Sequence, residues 1–433
     1  MARAPSLKLY QAQKCIDKYV DAMLSEIAYS VVNFGFADDQ LSLPITQMRE
    51  NVGRIRIDGK NEWTVEFLHK NRNTSLVLID FRGNVGKNSR VSLNPLYQNE
   101  IWSELIYLAP APMPKLICET YAEANVHLKA NLASLESFIK KTRITFERAD
   151  GVSEKYCQKL LRNLLTARRL RDLAFEDEGS FYLPEHWTET DSGRMYGRAL
   201  SLQRISQEVR NAALGRCHKY DFKASSYGLM TGLAKNINPE LKIATIGEYI
   251  RKRSDIRKKI ASDIEISDEW MKDIFTSLGF GASTADNPYT SIRGKLGKEK
   301  YDVLMANRQF RHIYECMDAV RKTIAASFPD DFEFLGRKYD AIDPNSEFHK
   351  KRTANQKLAW IYQVMESHAI THFGERAMEH GYEPILFAHD CVYFSQKLPQ
   401  ALLEDIMYEL NQMFPLKWTH PSRQRLPEFK LHP

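Results

Sequence analysis

The sequence has no Cys-x-x-Cys pair and no cysteine–histidine spacing suited to zinc, so it predicts no structural zinc site. Its six cysteines are scattered over 433 residues, which is typical of reduced thiols in a cytosolic protein rather than of a disulfide framework. The N-terminal MARAPSLKLY lacks the apolar run of a signal peptide. The most apolar window, residues 101–117, is interrupted by Glu104 and by three prolines, so no membrane span is expected.

Low-complexity segments and internal repeats are also absent. A content of 43% hydrophobic and 27% charged residues is ordinary for a globular protein, and the chain is long enough for about two or three domains with a large core. The net charge of +6 is compatible with a polyanionic partner. It does not establish one, because many basic proteins bind no nucleic acid.

An aromatic-rich run, FAHDCVYF at residues 387–394, carries His389 and Asp390 in its middle. Such a run predicts a buried strand or a tight hairpin. A carboxylate buried there is unfavourable unless a cation or hydrogen-bond donors satisfy it. A metal ion would do so, and a divalent ion normally takes a second carboxylate from elsewhere in the fold.

Asp221 is the candidate for that second carboxylate. It lies in KYDFKASSYGLM, a short β-prone run that continues as a helix. Two strands that each present one aspartate would form a two-metal site, which is the usual device for in-line phosphoryl or nucleotidyl transfer. Taken singly, either aspartate could equally cap a helix or close a turn.

The remaining periodicity predicts mainly helices. Apolar residues at helical spacing indicate a first helix over residues 9–33. The runs WTVEFLHK and SLVLIDF, joined by the polar NRNT, predict a β-hairpin. Further helices are expected at residues 116–142, 154–174, 226–235, 248–263, 267–279, 346–381 and 398–413.

The predicted helix at 154–174 is basic around a stripe of leucines. Its cations are Lys159, Arg162, Arg168, Arg169 and Arg171. A run of charges is usually a solvated helix face. Because the excess is of one sign, a surface that follows a phosphate backbone is the competing interpretation.

Five motifs then occur in order: TDSGR at 190–194, LQ at 202–203, YDFKASS at 220–226, MKDIFTSLGFG at 271–281 and AHDC at 388–391. This ordered set resembles the superfamily that joins family A DNA polymerases to single-subunit phage and mitochondrial RNA polymerases. The resemblance covers residues 190–395, whereas the first 150 residues show none of it. Any one motif alone would be weak, since short pairs such as HD or GR occur by chance.

The resemblance implies an α+β, largely helical right-hand fold whose palm is an antiparallel sheet. Taken with the pattern of the first 150 residues, it gives five expected segments: an N-terminal α/β region at 1–95, a helical thumb-like region at 96–180, a first palm part at 181–233, fingers at 234–345, and a second palm part with the C-terminal tail at 346–433.

The resemblance also implies roles for the motif residues. Asp221 and Asp390, with the backbone carbonyl of Phe222, would hold two Mg²⁺ ions. Lys272 would neutralise charge on the triphosphate. Phe280 would stack at the templating base pair, and Gly281 would let the backbone approach it closely.

Further residues are implied to bind substrates. Arg194 would contact template or primer phosphates, and Gln203, Gln363 and His389 would lie against the duplex or the nucleotide beside the metals. The basic helix supplies Arg168 and Arg169 as additional nucleic-acid contacts.

Three departures from the family pattern bear on the substrate. Ser226 stands where family A DNA polymerases carry a glutamate that blocks a ribose 2′-hydroxyl, and Phe280 stands where a tyrosine is usual. Asp268 replaces an arginine one turn before Lys272. A second cation for the triphosphate would then come from the cluster Arg251, Lys252, Arg253, Arg257 and Lys258.

The sequence therefore predicts a minimal single-subunit DNA-directed RNA polymerase of phage or plasmid character, acting in the cytoplasm of a bacterial host. Its expected partners are a single-stranded or melted DNA template, the RNA product, NTPs, and a second polypeptide or a single-strand-binding protein. Two alternatives stay open. One is a family A DNA polymerase without proofreading, and the other is a replication or transcription factor that binds nucleic acid without polymerising.

Overall fold

The computed structural model describes residues 7–36, 40–57, 60–70, 73–81, 88–107, 124–149, 152–198, 200–222, 224–342, 350–388, 390–413 and 424–425. These residues form a largely helical structure with small antiparallel sheets. The α+β, largely helical class that the sequence predicts is thus confirmed.

The chain divides into two compact units. The first comprises Met1–Trp187 and Gly197–Gly215, and the second comprises Thr188–Tyr196 and Arg216–Pro433. The chain therefore leaves the first unit after Trp187, returns to it at Gly197 and leaves it again after Gly215. The finer division into five segments stays a prediction.

In the part of the first unit that the structure describes, there are three small sheets and several helices. The helices are α1 Leu7–Asn33, α2 Ile45–Val52, α3 Thr64–His69, α4 Gln98–Tyr107, α5 Leu132–Glu147, α6 Glu154–Leu173 and α7 Gln207–Leu214. The strands are β1 Gln40–Leu43, β2 Arg54–Ile57, β3 Lys60–Trp63, β4 Val77–Phe81, β5 Ser89–Leu93, β6 Val126–Ala130, β7 Phe175–Asp177 and β8 Ser180–Glu185. Their orders are β1-β5-β4, β2-β3 and β6-β8-β7.

The core of the first unit includes the contact between α1 and α6. Tyr19, Met23 and Ile27 recur every four residues along α1 and are buried. Leu161 and Leu164 are the buried counterparts on α6. This spacing places each set on one face of its helix, which is why both segments fold as amphipathic helices.

The predicted hairpin of WTVEFLHK with SLVLIDF is wrong. Residues 64–69 of the first run form α3, in which Thr64, Val65 and Leu68 are buried at helical spacing. SLVLIDF does contain a strand, β4, but that strand pairs with β5. Apolar residues in so short a run do not distinguish a strand from a helix with one buried face.

Part of the predicted helix at 116–142 is also wrong. Residues 126–130 form β6, which pairs antiparallel with β8 and buries Leu128. Apolar and polar residues alternate through VHLKA, which is the period of a strand. Residues 116–123 of the predicted segment lie outside the described part of the chain, and within its described part the helix begins at Leu132, as the beginning of α5.

The second unit surrounds an antiparallel sheet with long helices. Its strands are β9 Trp187–Glu189 and β10 Met195–Gly197, each with one end residue in the first unit, and β11 His218–Asp221, β12 Phe332–Phe334, β13 Arg337–Tyr339, β14 Pro384–Ala388, β15 Cys391–Phe394 and β16 Gln424–Arg425. Its helices are α8 Ser225–Ile237, α9 Ala244–Asp263, α10 Asp268–Gly279, α11 Ser291–Ala306, α12 Arg308–Ser327, α13 Ala354–Glu379 and α14 Gln400–Met413. The main sheet has the order β14-β15-β11-β16.

The sequence predicts most of these elements. FAHDCVYF forms the end of β14, a turn and β15, which is the predicted hairpin. The helices expected from 226, 248, 267, 346 and 398 correspond to α8, α9, α10, α13 and α14. The hydroxyl of Ser267 caps α10 by accepting a hydrogen bond from the amide of Trp270, as its position before an acidic first turn predicts.

Among the helices described, none is long and apolar enough to cross a membrane. Among the described residues, Cys15, Cys157, Cys217, Cys316 and Cys391 take part in no disulfide bond. Cys118 lies outside the described residues.

Replacement of Leu161 by alanine tests the core assignment in the first unit. Leu161 is fully buried on α6, and removing such a side chain typically costs about 2–5 kcal/mol. We expect the urea midpoint of the far-UV circular dichroism to fall accordingly. The matched control is Lys155→Ala on the exposed face of the same helix, and equal midpoints for the two variants would contradict the assignment.

Candidate active site

Two carboxylates meet at one end of the main sheet of the second unit. Asp221 is the last residue of β11, and Asp390 lies in the turn between β14 and β15. The antiparallel register places Asp221 opposite Cys391, and the amide nitrogen of Phe222 donates a hydrogen bond of 3.1 Å to the carbonyl oxygen of Asp390. Backbone pairing thus holds the two aspartates next to each other, although they are far apart in sequence.

Aromatic packing beneath the strands fixes this end of the sheet. Tyr220 and Phe222 each contact the ring of Phe373 on α13, and Tyr220 also contacts Phe394 of β15. Immediately after the strand, Ala224 adopts a left-handed conformation with φ of 52° and leads into α8. The chain therefore turns sharply just beyond Asp221, and this is a conformation that costs a non-glycine residue free energy.

Burial raises the pKa of Asp390, and the nearby charge of Asp221 raises it further. Lys219 and Arg194 act in the opposite direction. The Lys219 ammonium lies 2.7 Å from Asp221 Oδ2, two residues before it on the same face of the strand. Two adjacent carboxylates concentrate negative charge that a divalent ion can neutralise, and the Lys219 ammonium neutralises part of it here.

The donor chemistry at this point fits Mg²⁺. Mg²⁺ takes hard oxygen ligands and is commonly bound by one or two carboxylates, with water and substrate phosphates completing the shell. Asp221 and Asp390 supply two such carboxylates, and the Phe222 carbonyl is the third predicted donor. Within the described ranges, no group of three or more His, Cys, Asp or Glu side chains could hold a metal by itself.

Each residue of the TDSGR loop from Asp191 to Arg194 contacts a residue on helix α13 or just before it. Their contacts are the ion pair of Asp191 with Arg352 at 2.6 Å, the hydrogen bond from Ser192 Oγ to Gln363 Oε1 at 3.0 Å, the hydrogen bond from Ser367 Oγ to the Gly193 carbonyl at 2.7 Å, and the ion pair of Arg194 with Glu366 at 3.2 Å. Arg352 lies just before the helix, and the other three partners lie on it. The loop and the predicted residue Gln363 thus belong to one hydrogen-bonded assembly.

A buried polar network begins at Arg194 and lies within the second unit. Glu366 is only 2% exposed, and its Oε1 accepts a hydrogen bond from the Tyr362 hydroxyl. Ser225 Oγ lies 2.8 Å from the Tyr362 hydroxyl oxygen. Burial raises the pKa of Glu366 to about 7, although Arg194 and the Tyr362 hydroxyl pull it down.

Phe280, Gly281 and Ser226 lie around the C-terminal end of α10. Phe280 is 41% exposed, and its ring meets that of Tyr362 edge to face with centroids 5.1 Å apart. Gly281 has φ of 86°, and its carbonyl accepts a hydrogen bond of 2.9 Å from Asn355 Nδ2. Ser226 is buried on α8 so close to Gly279 that a methyl group at Gly279 would lie 2.8 Å from Ser226 Oγ. The structure thus brings Ser226 next to the segment that carries Phe280.

The cations predicted to bind the triphosphate are on two helices. Lys272 is exposed on α10, on the same face as Thr276 and Phe280. Its side chain is therefore available to solvent and aligned with Phe280 along the helix. The alternative cluster lies on α9, which is kinked at Lys252, and consists of the exposed Arg251, Lys252 and Lys258 and the half-buried Arg253 and Arg257.

Other predicted site residues belong to the first unit. Arg168 donates a hydrogen bond of 2.7 Å to the Ile106 carbonyl, and Arg169 is its half-buried neighbour on α6. Gln203 is buried, and its Oε1 accepts a hydrogen bond of 2.8 Å from the Gly197 amide. In these contacts Arg168 and Gln203 support their own unit. His389 lies outside the described residues.

The sequence interpretation missed Glu366, Tyr362 and Lys219. Tyr362 and Glu366 are four residues apart in the apolar segment WIYQVMESHAI, so an acid on the buried face of a predicted helix was a usable signal. Lys219 precedes Asp221 by two residues in a predicted strand, which places both side chains on one face.

The raised pKa of Glu366 predicts a pH dependence of stability. The folded state holds this proton up to a pH of about 7, whereas the ordinary value is 4.5, so the free energy of unfolding falls as pH rises from about 4.5 to about 7. The difference corresponds to roughly 3 kcal/mol. We expect Glu366→Gln to reduce this decline, measured by urea unfolding at pH 5 and pH 8 with a chelator present.

The matched control is Glu375→Gln, an exposed position on the same helix, which should leave the decline unchanged. The same decline in Glu366→Gln and wild type would contradict the assignment.

No protein-family model and no curated protein matches this sequence. Among solved structures, the chain is similar to the POL domain of Pol1 from M. smegmatis, solved in complex with DNA primer-template and dNTP. The sequence identity is 12% and the TM-score is 0.43, over 73% of this chain and 70% of that chain.

Proposed function

We propose that this chain is a template-directed nucleotidyltransferase that uses two Mg²⁺ ions, and that it is a minimal single-subunit DNA-directed RNA polymerase. The observation that carries the proposal is the pairing of β11 with the β14–β15 hairpin, which places Asp221 beside Asp390. The ordered sequence motifs around these two aspartates support the same proposal.

Ions held by Asp221, Asp390 and the Phe222 carbonyl would activate the primer 3′-hydroxyl and stabilise the leaving pyrophosphate. The residues of the chain bind and orient the substrates. Lys272, exposed on α10, offers a positive charge to the triphosphate. Phe280, exposed two turns further along the same face, offers its ring to the base pair at the templating position.

The sugar preference is proposed from Ser226 and Phe280. Ser226 is small, so it leaves room for a ribose 2′-hydroxyl where a glutamate would block it. Phe280 has no hydroxyl, and the neighbouring Tyr362 hydroxyl already bonds to Glu366 and lies beside Ser225. A pocket that has room for the 2′-hydroxyl, but no polar group to bind it, accepts ribonucleotides and discriminates only modestly between NTPs and dNTPs.

Two other functions remain as alternatives. The short separation of Asp221 from Lys272 is similar to that of the DNA polymerases and favours a family A DNA polymerase without proofreading. A binding factor that does not polymerise would need none of Asp221, Asp390 and Lys272, which are all present in this sequence. Comparison of NTPs with dNTPs on a primed, single-stranded template separates all three.

Replacement of Asp221 or Asp390 by asparagine should abolish nucleotide addition while the fold stays intact. Loss of one metal ligand removes several kcal/mol of transition-state stabilisation, on the order of a thousandfold in rate. The measurement is primer extension with Mg²⁺, with circular dichroism as the check on folding. Asp405→Asn, exposed on α14, is the control, and near wild-type extension by either site variant would refute the two-metal proposal.

Phe280→Tyr should sharpen the preference for NTPs over dNTPs, because a phenolic hydroxyl can bond to the ribose 2′-hydroxyl. The wild type should use both, with a ratio of kcat/KM for ATP over dATP that is well below that of the variant. Single-nucleotide addition measures both ratios. Strict dNTP use by the wild type would favour the DNA polymerase alternative.

A further inference from the structure

Glu366 and Tyr362 connect Arg194 with Phe280, the two side chains proposed to bind substrates, through the interior of the second unit. Arg194 Nη1 lies 3.2 Å from Glu366 Oε2, and the opposite oxygen of Glu366 accepts the Tyr362 hydroxyl. The Tyr362 ring in turn meets Phe280 edge to face at 5.1 Å. The sequence Arg194–Glu366–Tyr362–Phe280 is thus a continuous series of contacts, and each contact is direct.

Burial of the charged groups of Glu366 and Arg194 is unfavourable in free energy. Glu366 is 2% exposed and the Arg194 side chain is 16% exposed. Glu366 Oε2 and Arg194 Nε take part in no hydrogen bond with the described residues, so the pair is held mainly by charge. A buried ion pair is weak evidence for stability, because apolar residues of the same volume are often as stable or more so. Its presence therefore calls for a role other than stability.

The two ends of the series differ in what they face. Arg194 lies over the ring of Tyr196 and close enough to Asp390 to lower the pKa of that carboxyl. Phe280 lies at the end of α10 with 41% of its surface exposed. Under the proposed function, the first end meets nucleic acid and the second meets the incoming nucleotide.

Tyr362 supports the ring of Phe280 and does not itself contact substrate. It is buried, and its hydroxyl is engaged by Glu366 and Ser225. The hydrogen bond to Glu366 therefore fixes the position of the Tyr362 ring. The edge-to-face contact with this ring in turn restricts the orientation of Phe280.

We propose that Glu366 is a positioning residue that orients Arg194 directly and Phe280 through Tyr362, so that one buried carboxylate aligns the nucleic-acid and nucleotide contacts of the site. This inference rests on the proposed function and extends it. Glu366 itself touches neither substrate.

The two arms of the network can be separated by substitution. Tyr362→Phe keeps the ring and the Arg194–Glu366 ion pair but loses the hydroxyl bonds, so only the nucleotide arm loosens. Glu366→Gln keeps the shape but replaces the carboxylate by a neutral amide, so the ion pair with Arg194 is lost, the hydrogen bond from the Tyr362 hydroxyl becomes weaker, and both arms loosen. A merely structural role would instead change all parameters together with stability.

The experiment combines fluorescence anisotropy of a labelled primer–template with single-nucleotide addition kinetics. We expect Glu366→Gln to weaken primer–template binding and raise the nucleotide KM, each on the order of tenfold. Tyr362→Phe should raise the nucleotide KM with a primer–template Kd within about twofold of wild type, and Glu375→Gln should change neither. In an Arg194→Gln background, Glu366→Gln should weaken primer–template binding no further, since coupled residues are not additive.

Three results would overturn the inference. In the first, the wild type is active and Glu366→Gln has the same primer–template Kd and the same nucleotide KM. This result would leave the proposed function intact. Another is Tyr362→Phe with an unchanged nucleotide KM, which decides the case even if Glu366→Gln fails to fold. The third is a wild type that neither binds primer–template nor adds nucleotides, which refutes the proposed function and this inference together.

Discussion

The pairing of β11 with β15 is the constraint on which the candidate site depends. It places Asp221 beside Asp390, and like charges at short range oppose each other strongly where burial has removed water. Lys219 and Arg194 offset part of that repulsion. The neighbouring side chains therefore serve to reduce the repulsion between the two carboxylates as well as to pack against them. A divalent ion would neutralise the negative charge that is left.

Helix α13 organises the surroundings of this charge cluster. One stretch of it holds Ser192 and Arg194 through Gln363 and Glu366, and Phe373 further along supports Tyr220 and Phe222 beneath the strands. Its first turn holds the Gly281 carbonyl through Asn355. A single rigid element thus contacts the TDSGR loop, the sheet and the end of α10. Small movements of that helix would change all three together.

Much of the second unit could be predicted from sequence, because its signals are local. The run around Asp390 reads as a hairpin, and Ser267 reads as a helix cap. Glu366 could not be assigned a role, because its partners Arg194 and Ser225 are distant in sequence and only the fold brings them together. In the first unit, TVEFLH was misassigned because a short apolar run does not distinguish a strand from a helix. VHLKA was misassigned because its strand-like alternation lies within a longer segment that was interpreted as a helix.

Several features near the carboxylates lower the stability of the fold. Ala224 adopts a left-handed conformation, and Asp390 and Glu366 have raised pKa values because of burial. Each carries a free-energy cost that a glycine, an amide or an apolar side chain would avoid. Ala224 lies three residues after Asp221, Asp390 is the neighbour of Asp221 across the sheet, and Glu366 pairs with Arg194. A concentration of such features around one end of one sheet is typical of functional sites, where local rules of stability are broken more often than elsewhere in a fold.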